Sequence, residues 1–317
     1  MWPFIFVLVH IYKHCPISLN FLYSNVNTKI VSVMLPFLVK ILDLEKNKQV
    51  TKGRRYNSYL VETSETTRAT LFNHTETKFN EWLAGLIDGV GSLLISKKGY
   101  ISCEITMGLQ DEYALRFIQN KLGGSIKLRS GAKALRYRLH NKSGMIDLIN
   151  RINGNIRHSS RFKQLSHICS TLSIKTLAPN ILHNKHGWFS GFFDADGTIT
   201  LSLKGEYKIP QLTISVTNRL LIDVIHFQQI FGGSVYYDRS QNGYYKWSIQ
   251  KKNDILNIVE YFKICSSKSV KRQRLFIVNR YFELLDLKAY KEENSMQHKA
   301  WLIFLNKWRL NNEDIVQ

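Results

Sequence analysis

Hydrophobic positions recur at helical spacing from Trp82 to Val90 (WLAGLIDGV) and again from Trp188 to Asp196 (WFSGFFDAD). Each run stops at a glycine and passes into alternation of period two, SLLIS after the first and TITLSL after the second. That change of period predicts a helix feeding a half-buried strand. Downstream of the first run, SLLIS and ISCEITM flank Lys98-Gly99 and predict a hairpin. DEYALRFIQNKLGG then predicts an amphipathic helix ending at a Gly pair. SIKLRS and ALRYRLHN form a second hairpin around Gly131, and GMIDLINRIN and SRFKQLSHICSTL close the unit as helices. The second half repeats this plan. TITLSLK and PQLTISVT are strands, RLLIDVIHFQQIFGG is the helix, and GSVYYDRS and YYKWSIQ pair around Asn242-Gly243. NDILNIVEYFK and SVKRQRLFIVNRYFELL follow as helices.

The internal glycines of the two runs lie 191 − 85 = 106 residues apart, and the Gly pairs 232 − 123 = 109 apart, so the whole unit is repeated. The expected fold is α+β. It consists of two pseudo-symmetric αββαββα repeats, each a four-stranded antiparallel sheet with helices on one face. The expected limits are an N-terminal leader and linker over 1–73, repeats over 74–180 and 181–294, and a tail helix over 295–317 with Trp301, Phe304 and Trp308 on one side. Residues 1–43 carry two apolar runs, the second interrupted by Pro36 and shorter than the roughly 20 residues a spanning helix needs. Targeting segment, weak anchor and in-frame leader are the readings of this stretch; the leader is preferred, and no stable membrane span is expected. Residues 43–80 turn polar and are expected to be a linker.

Each helical run contains a small pair, Ala84-Gly85 and Ser190-Gly191. An internal helical glycine costs roughly 1 kcal/mol relative to alanine, and close backbone packing is the natural compensation. Each run is the expected partner of the other, helix on helix about a pseudo-twofold axis. The bland alternative is a Gly-terminated helix whose Asp residues make a local turn; duplication of the pattern argues against it.

The segments LAGLIDGVG (Leu83–Gly91) and FSGFFDADG (Phe189–Gly197) resemble the two signature motifs of the LAGLIDADG homing endonucleases, in the single-chain, two-motif, intron-encoded form. The resemblance covers the chain from about Phe79 to Tyr290. It implies signature helices packed at the centre, with a metal-binding carboxylate at the eighth position of each motif. That position is Asp196 in the second copy and Val90 in the first, and valine cannot bind a metal. The resemblance further implies magnesium as cofactor, held by Asp196 and the backbone carbonyls of Ala195 and Gly89. It assigns Gln110 and Asn218 to orienting water, and Lys271 and Arg161 to stabilising charge.

Composition then narrows the partner. Lys+Arg is 44 against 24 Asp+Glu, a net charge of +20, which calls for a polyanion. Cysteines 15, 103, 169 and 265 are scattered without a CxxC pair, which argues against a zinc site or disulfide framework. Alternation puts Lys127, Arg129, Arg136 and Arg138 on one polar face of the first repeat's second hairpin, all of one sign. In the second repeat the polar faces carry Thr198, Thr200, Gln211, Thr213, Tyr236 and Lys246. Such a face carries donors and acceptors suited to the major groove of double-stranded DNA.

The expected function is a metal-dependent DNA endonuclease acting at an intron-insertion site as a monomer. Its activity is expected to be reduced, or limited to nicking, by Val90. The alternative is a maturase that assists splicing of its host group I intron RNA. Composition rich in Lys, Asn and Ile, with family habit, points to the mitochondrion, with the chloroplast as alternative.

Overall fold

The computed structural model describes residues 64–205, 209–240 and 242–313. Helix α1 (Ser64–Val90) carries the first motif in its last turns and passes directly into β1 (Gly91–Ile95) and β2 (Ile101–Gly108). Helix α2 (Glu112–Leu122), β3 (Ser125–Leu128), β4 (Ala134–Leu139), α3 (Lys142–Ile152) and α4 (Ser159–Thr171) complete the first repeat. The second runs α5 (Trp188–Asp196), β5 (Gly197–Lys204), β6 (Ile209–Asn218), α6 (Ile225–Phe231), β7 (Ser234–Asp238), β8 (Tyr244–Ile249), α7 (Lys252–Ile264) and α8 (Lys271–Asp286). Helix α9 (Met296–Glu313) follows.

Both sheets are antiparallel and have the same order, β1-β2-β4-β3 and β5-β6-β8-β7. The registers superpose. Ile105 faces Tyr137 across β2 and β4, and Val216 faces Trp247 across β6 and β8. Tyr137 and Trp247 are both fully buried, so they mark equivalent core positions. Each sheet thus turns its apolar side to the helices, as the period-two pattern requires.

Two expectations are corrected. The polar stretch read as linker up to residue 80 is helical from Ser64 onward. It contains neither Gly nor Pro before Ala84, and Glu76 ties it to the repeat by accepting from Arg151 (2.6 Å) and Lys121. The helix expected over 219–233 is shortened to Ile225–Phe231, preceded by a 3₁₀ turn over Leu221–Asp223. Asp223 is buried with its carboxylate on Ser159 N (2.9 Å), and Val224 leaves the helical region at φ −128°. A tertiary bond outweighs local helix propensity there.

Trp301, Phe304 and Trp308 of α9 are buried as the pattern predicts, the first two against Tyr281 of α8. Cys103, Cys169 and Cys265 are buried free thiols, and burial pushes the Cys103 thiol up to about 12. No helix among the described residues is long and apolar enough to cross a membrane. The leader reading of residues 1–43, and Cys15, lie outside the described residues.

Candidate active site and nucleic-acid interface

The two motif helices cross at their small residues. A Cβ on Gly85 would lie 1.9 Å from the Trp188 carbonyl oxygen, and one on Gly191 would lie 1.8 Å from that of Trp82. Only glycine allows this approach. Ala84 and Ser190, beside them, are buried. At the far end, a Cβ on Gly89 would meet the Ala195 Cβ at 2.2 Å and Asp196 Oδ2 at 3.2 Å. The Asp196 carboxylate therefore lies against the last turn of the opposite helix.

The crossing is locked by exchanged hydrogen bonds. The Trp82 indole donates to Asp194 (2.8 Å), and the Trp188 indole donates to Asp88 (2.7 Å). Each Asp also receives the backbone N–H of the segment leading into a later helix. Asp88 takes Arg157 N (2.8 Å) and Asp194 takes Lys268 N (2.7 Å). A second exchanged pair lies outside these: Asp111 accepts from Val270 N (2.9 Å) as Asp223 does from Ser159 N (2.9 Å). Asp194 has further donors in Ser267 and Ser269, whereas Asp88 Oδ1 is buried with no hydrogen-bond partner among the described residues. Burial raises the Asp88 carboxyl to about 7 despite its donors. Sequence reading did not assign these four aspartates. The signal for two of them was a Trp six residues before an Asp in both motifs, since a buried indole N–H needs an acceptor.

Asp196 is largely buried, and desolvation raises its carboxyl above the usual range, opposed by the positive fields of Lys271, His158 and Arg161. Lys271 Nζ donates to the carbonyls of Phe193 (2.9 Å), Asp194 (2.8 Å) and Ala195 (3.0 Å). It thus neutralises the negative end of α5. Arg161 Nε donates to the Ile87 carbonyl (3.3 Å), the counterpart of Phe193 in the first motif. The two cations therefore do equivalent work from inequivalent positions. The exchanged bonds match Arg157 with Lys268 and Ser159 with Val270, so Ser160 is the residue opposite Lys271. The first half of the centre lacks both the carboxylate, at Val90, and the lysine.

Gln110 lies in the 3₁₀ turn after β2, beyond the last paired residue, whereas Asn218 is the final paired residue of β6. They are not equivalent in register. Asn218 Oδ1 accepts from Arg219 N (2.7 Å) and lies 3.3 Å from His158 Nε2, and among the described residues its amide N–H₂ makes no hydrogen bond. Among the described residues, neither hydrogen-bonds Asp196.

The donor set around Asp196 decides which cation fits. No group of three or more His, Cys, Asp or Glu side chains among the described residues could enclose an ion. A hard cation that keeps most of its waters needs less, and one carboxylate with backbone carbonyls fits it. The Ala195 carbonyl has a second lone pair beyond the one facing Lys271.

On the sheets, Lys127 and Arg129 are exposed, and Arg136 and Arg138 line with them a groove of about 410 Å³. The single-sign reading of this face is corrected: Glu104 of β2 lies between Arg138 (3.3 Å) and Arg136 (3.7 Å). The acid comes from β2, which pairs with β4 on the side away from β3. Thr198, Thr200 and Tyr236 are exposed and Lys246 is half-buried. Gln211 is bonded to Gln250 (3.0 Å). Thr213 is buried, a short side chain on the inner strand β6, paired in register with Thr200.

Comparison with known proteins agrees with this geometry. The family model described as LAGLIDADG endonuclease matches residues 83–172 and 189–294. The chain is 49% identical to a probable intron-encoded endonuclease, aI2, of Debaryomyces hansenii over 81% of its length and 45% of that protein's. It is 46% identical to the intron-encoded RNA maturase bI4 of Saccharomyces cerevisiae over 91% of its length and 51% of that protein's. The chain thus spans about half the length of these curated relatives. Among solved structures, the homing endonuclease I-LtrWI bound to target DNA is similar in fold, with TM-score 0.57, 14% identity, and coverage of 75% of this chain and 99% of that one.

Proposed function

Because the chain belongs to the LAGLIDADG endonuclease family, we propose that it is an intron-encoded, site-specific endonuclease that hydrolyses a phosphodiester bond of double-stranded DNA at an intron-insertion site. The observation that carries this reading is the meeting of the two motif helices, which sets Asp196 against Gly89 and within the fields of Lys271 and Arg161. A magnesium ion would be held by Asp196 with the Ala195 and Gly89 carbonyls, and would supply a water of lowered pKa beside the scissile phosphate. Lys271 and Arg161, placed at the ends of the motif helices, stabilise negative charge developing on phosphate oxygens. The amide of Asn218 positions the attacking water, and Gln110, although it lies beyond the matching strand position, is assigned the same work in the first repeat. Lys127, Arg129, Arg136 and Arg138, with Thr198, Thr200, Gln211, Tyr236 and Lys246, face the duplex.

Val90 and Ser160 make the centre one-sided, so nicking of one strand is favoured over a double-strand break. The test is a supercoiled plasmid carrying the intronless junction, incubated with magnesium. Nicked circles are expected from the native chain and none from Asp196→Asn. Equal cutting by both proteins would remove Asp196 from the mechanism. The composition favours action in the mitochondrion.

A second reading has specific support. A centre that lost a metal-binding carboxylate suits a protein retained for binding, and one close relative is an RNA maturase. Gel shifts separate the two: tight binding to the junction duplex supports nuclease function, and tight binding to the host intron RNA supports maturase function.

A further inference from the structure

The two sheets superpose in register, yet their groove-facing residues differ, and at one cross-strand position the difference is between charge and a short hydroxyl. In the first repeat Glu104 faces Arg138 across β2 and β4, with Ser125 of β3 on the far side of Arg138. In the second the same three places hold Ser215, Ser248 and Ser234. The match is fixed by Tyr137 and Trp247, the adjacent core residues on equivalent strands. One repeat thus has a charged pair where the other has short hydroxyls.

The geometry of the charged group is directional. Glu104 Oε1 lies 3.3 Å from Arg138 Nε, and Oε2 lies 3.7 Å from Arg136 Nη1. The acid is mostly covered, while the Arg136 and Arg138 side chains are 41% and 56% exposed. The contact with Glu104 is at Nε and the Arg138 side chain is more than half exposed, so its terminal N–H groups can meet a ligand. A guanidinium offers two parallel N–H donors, the complement of the O6 and N7 acceptors of guanine, and the neighbouring carboxylate favours keeping it over the sheet. Because β4 is an inner strand, both arginines sit in the middle of the sheet face. Two residues along a strand rise about 6.7 Å, close to two base-pair steps.

We propose that Glu104, Arg136 and Arg138 form a guanine-reading unit, so that the half of the target facing the first repeat carries guanine within two base-pair steps, while the half facing the serine-lined second repeat has no such requirement. This rests on the DNA-binding reading above. Lys127, directly opposite Arg136, supplies phosphate affinity to the same half.

The experiment is selection of a randomised duplex library by the full chain, followed by binding measurements on the enriched site and on single-base variants of it. The native chain is expected to enrich one half-site containing guanine and to lose about tenfold or more in affinity when that guanine is replaced. Arg138→Lys keeps the charge but not the fork, and Glu104→Gln removes the buttress while adding net positive charge. In both, discrimination at the guanine is expected to fall by more than the affinity for mixed-sequence duplex does. Thermal melting monitors the fold of each variant. Guanine discrimination that survives in the Arg136→Lys, Arg138→Lys double variant overturns the proposal. So does a Glu104→Gln protein that switches preference to another base, since Glu104 would then be reading the base itself. A native chain that enriches no sequence at all means the DNA-binding reading has failed, which is a different result from an enriched site without guanine.

Discussion

Gly85 and Gly191 are the residues on which the centre depends. A methyl at either would need to occupy the space of a backbone carbonyl on the partner helix. Gly85→Ala or Gly191→Ala is expected to destabilise by about 3 kcal/mol or more, the upper range for overpacking, because backbone cannot rotate away as a side chain can. Denaturant melts read this directly. Asp88 gives a pH-dependent prediction. Its folded carboxyl, raised to about 7, lies above the unfolded value, so its contribution is complete below about pH 4 and is lost as pH rises to 7. His186 and His226, each lowered to about 4, act in the opposite sense over part of that window. The readout is therefore the difference between the native chain and Asp88→Asn. The native chain should lose stability relative to the variant between pH 4 and 7, by on the order of 4 kcal/mol at the limit. A constant difference would place Asp88 in its charged form throughout. Val90→Asp restores the missing carboxylate and should raise cleavage of the second strand by on the order of a hundredfold, as plasmid linearisation in place of nicking.

At the scale of elements, the shared registers of the two sheets decide which residues correspond, and they correct correspondences drawn along the chain. Gln110 and Asn218 looked equivalent by order but fall at different places relative to strand pairing. Lys271 and Arg161 occupy different positions and still reach matching carbonyls. Helix α9 lays Trp301, Phe304 and Trp308 onto α8. Trp301→Ala should cost about 3–5 kcal/mol in thermal or chemical melts, a large-to-small core change. Affinity for mixed-sequence duplex should be largely preserved, because the cations that line the groove belong to the first repeat whereas Trp301 borders Leu201 and Pro210 of the second.

For the whole molecule, a net charge of +20 predicts that the proposed association with nucleic acid is steeply salt-dependent. Lys127→Ala or Arg129→Ala should each reduce the slope of log affinity against log salt by about 1, uniformly across DNA sequences. A sequence-dependent loss at either position would reassign that residue to base reading. The Glu104 pairings temper the field of the first repeat, which is why these two uncovered cations are chosen.

Repetition, period and small-residue pairs determined the fold from the chain alone. A repeated 3.6-to-2 change of period leaves few ways to bury each apolar face, and Ala84-Gly85 and Ser190-Gly191 identify the surface where the halves meet. Asp196 and Val90 were legible because a motif fixes their place on the helix. The roles of Asp88, Asp194, Asp111 and Asp223 were decided only in three dimensions. Each binds a backbone N–H or an indole that lies more than 60 residues away in the chain or on the opposite repeat. Glu104 belongs with them. Its sign and spacing are local facts, but that it stands between two arginines follows from β2 and β4 becoming neighbours, a pairing that strand alternation does not specify.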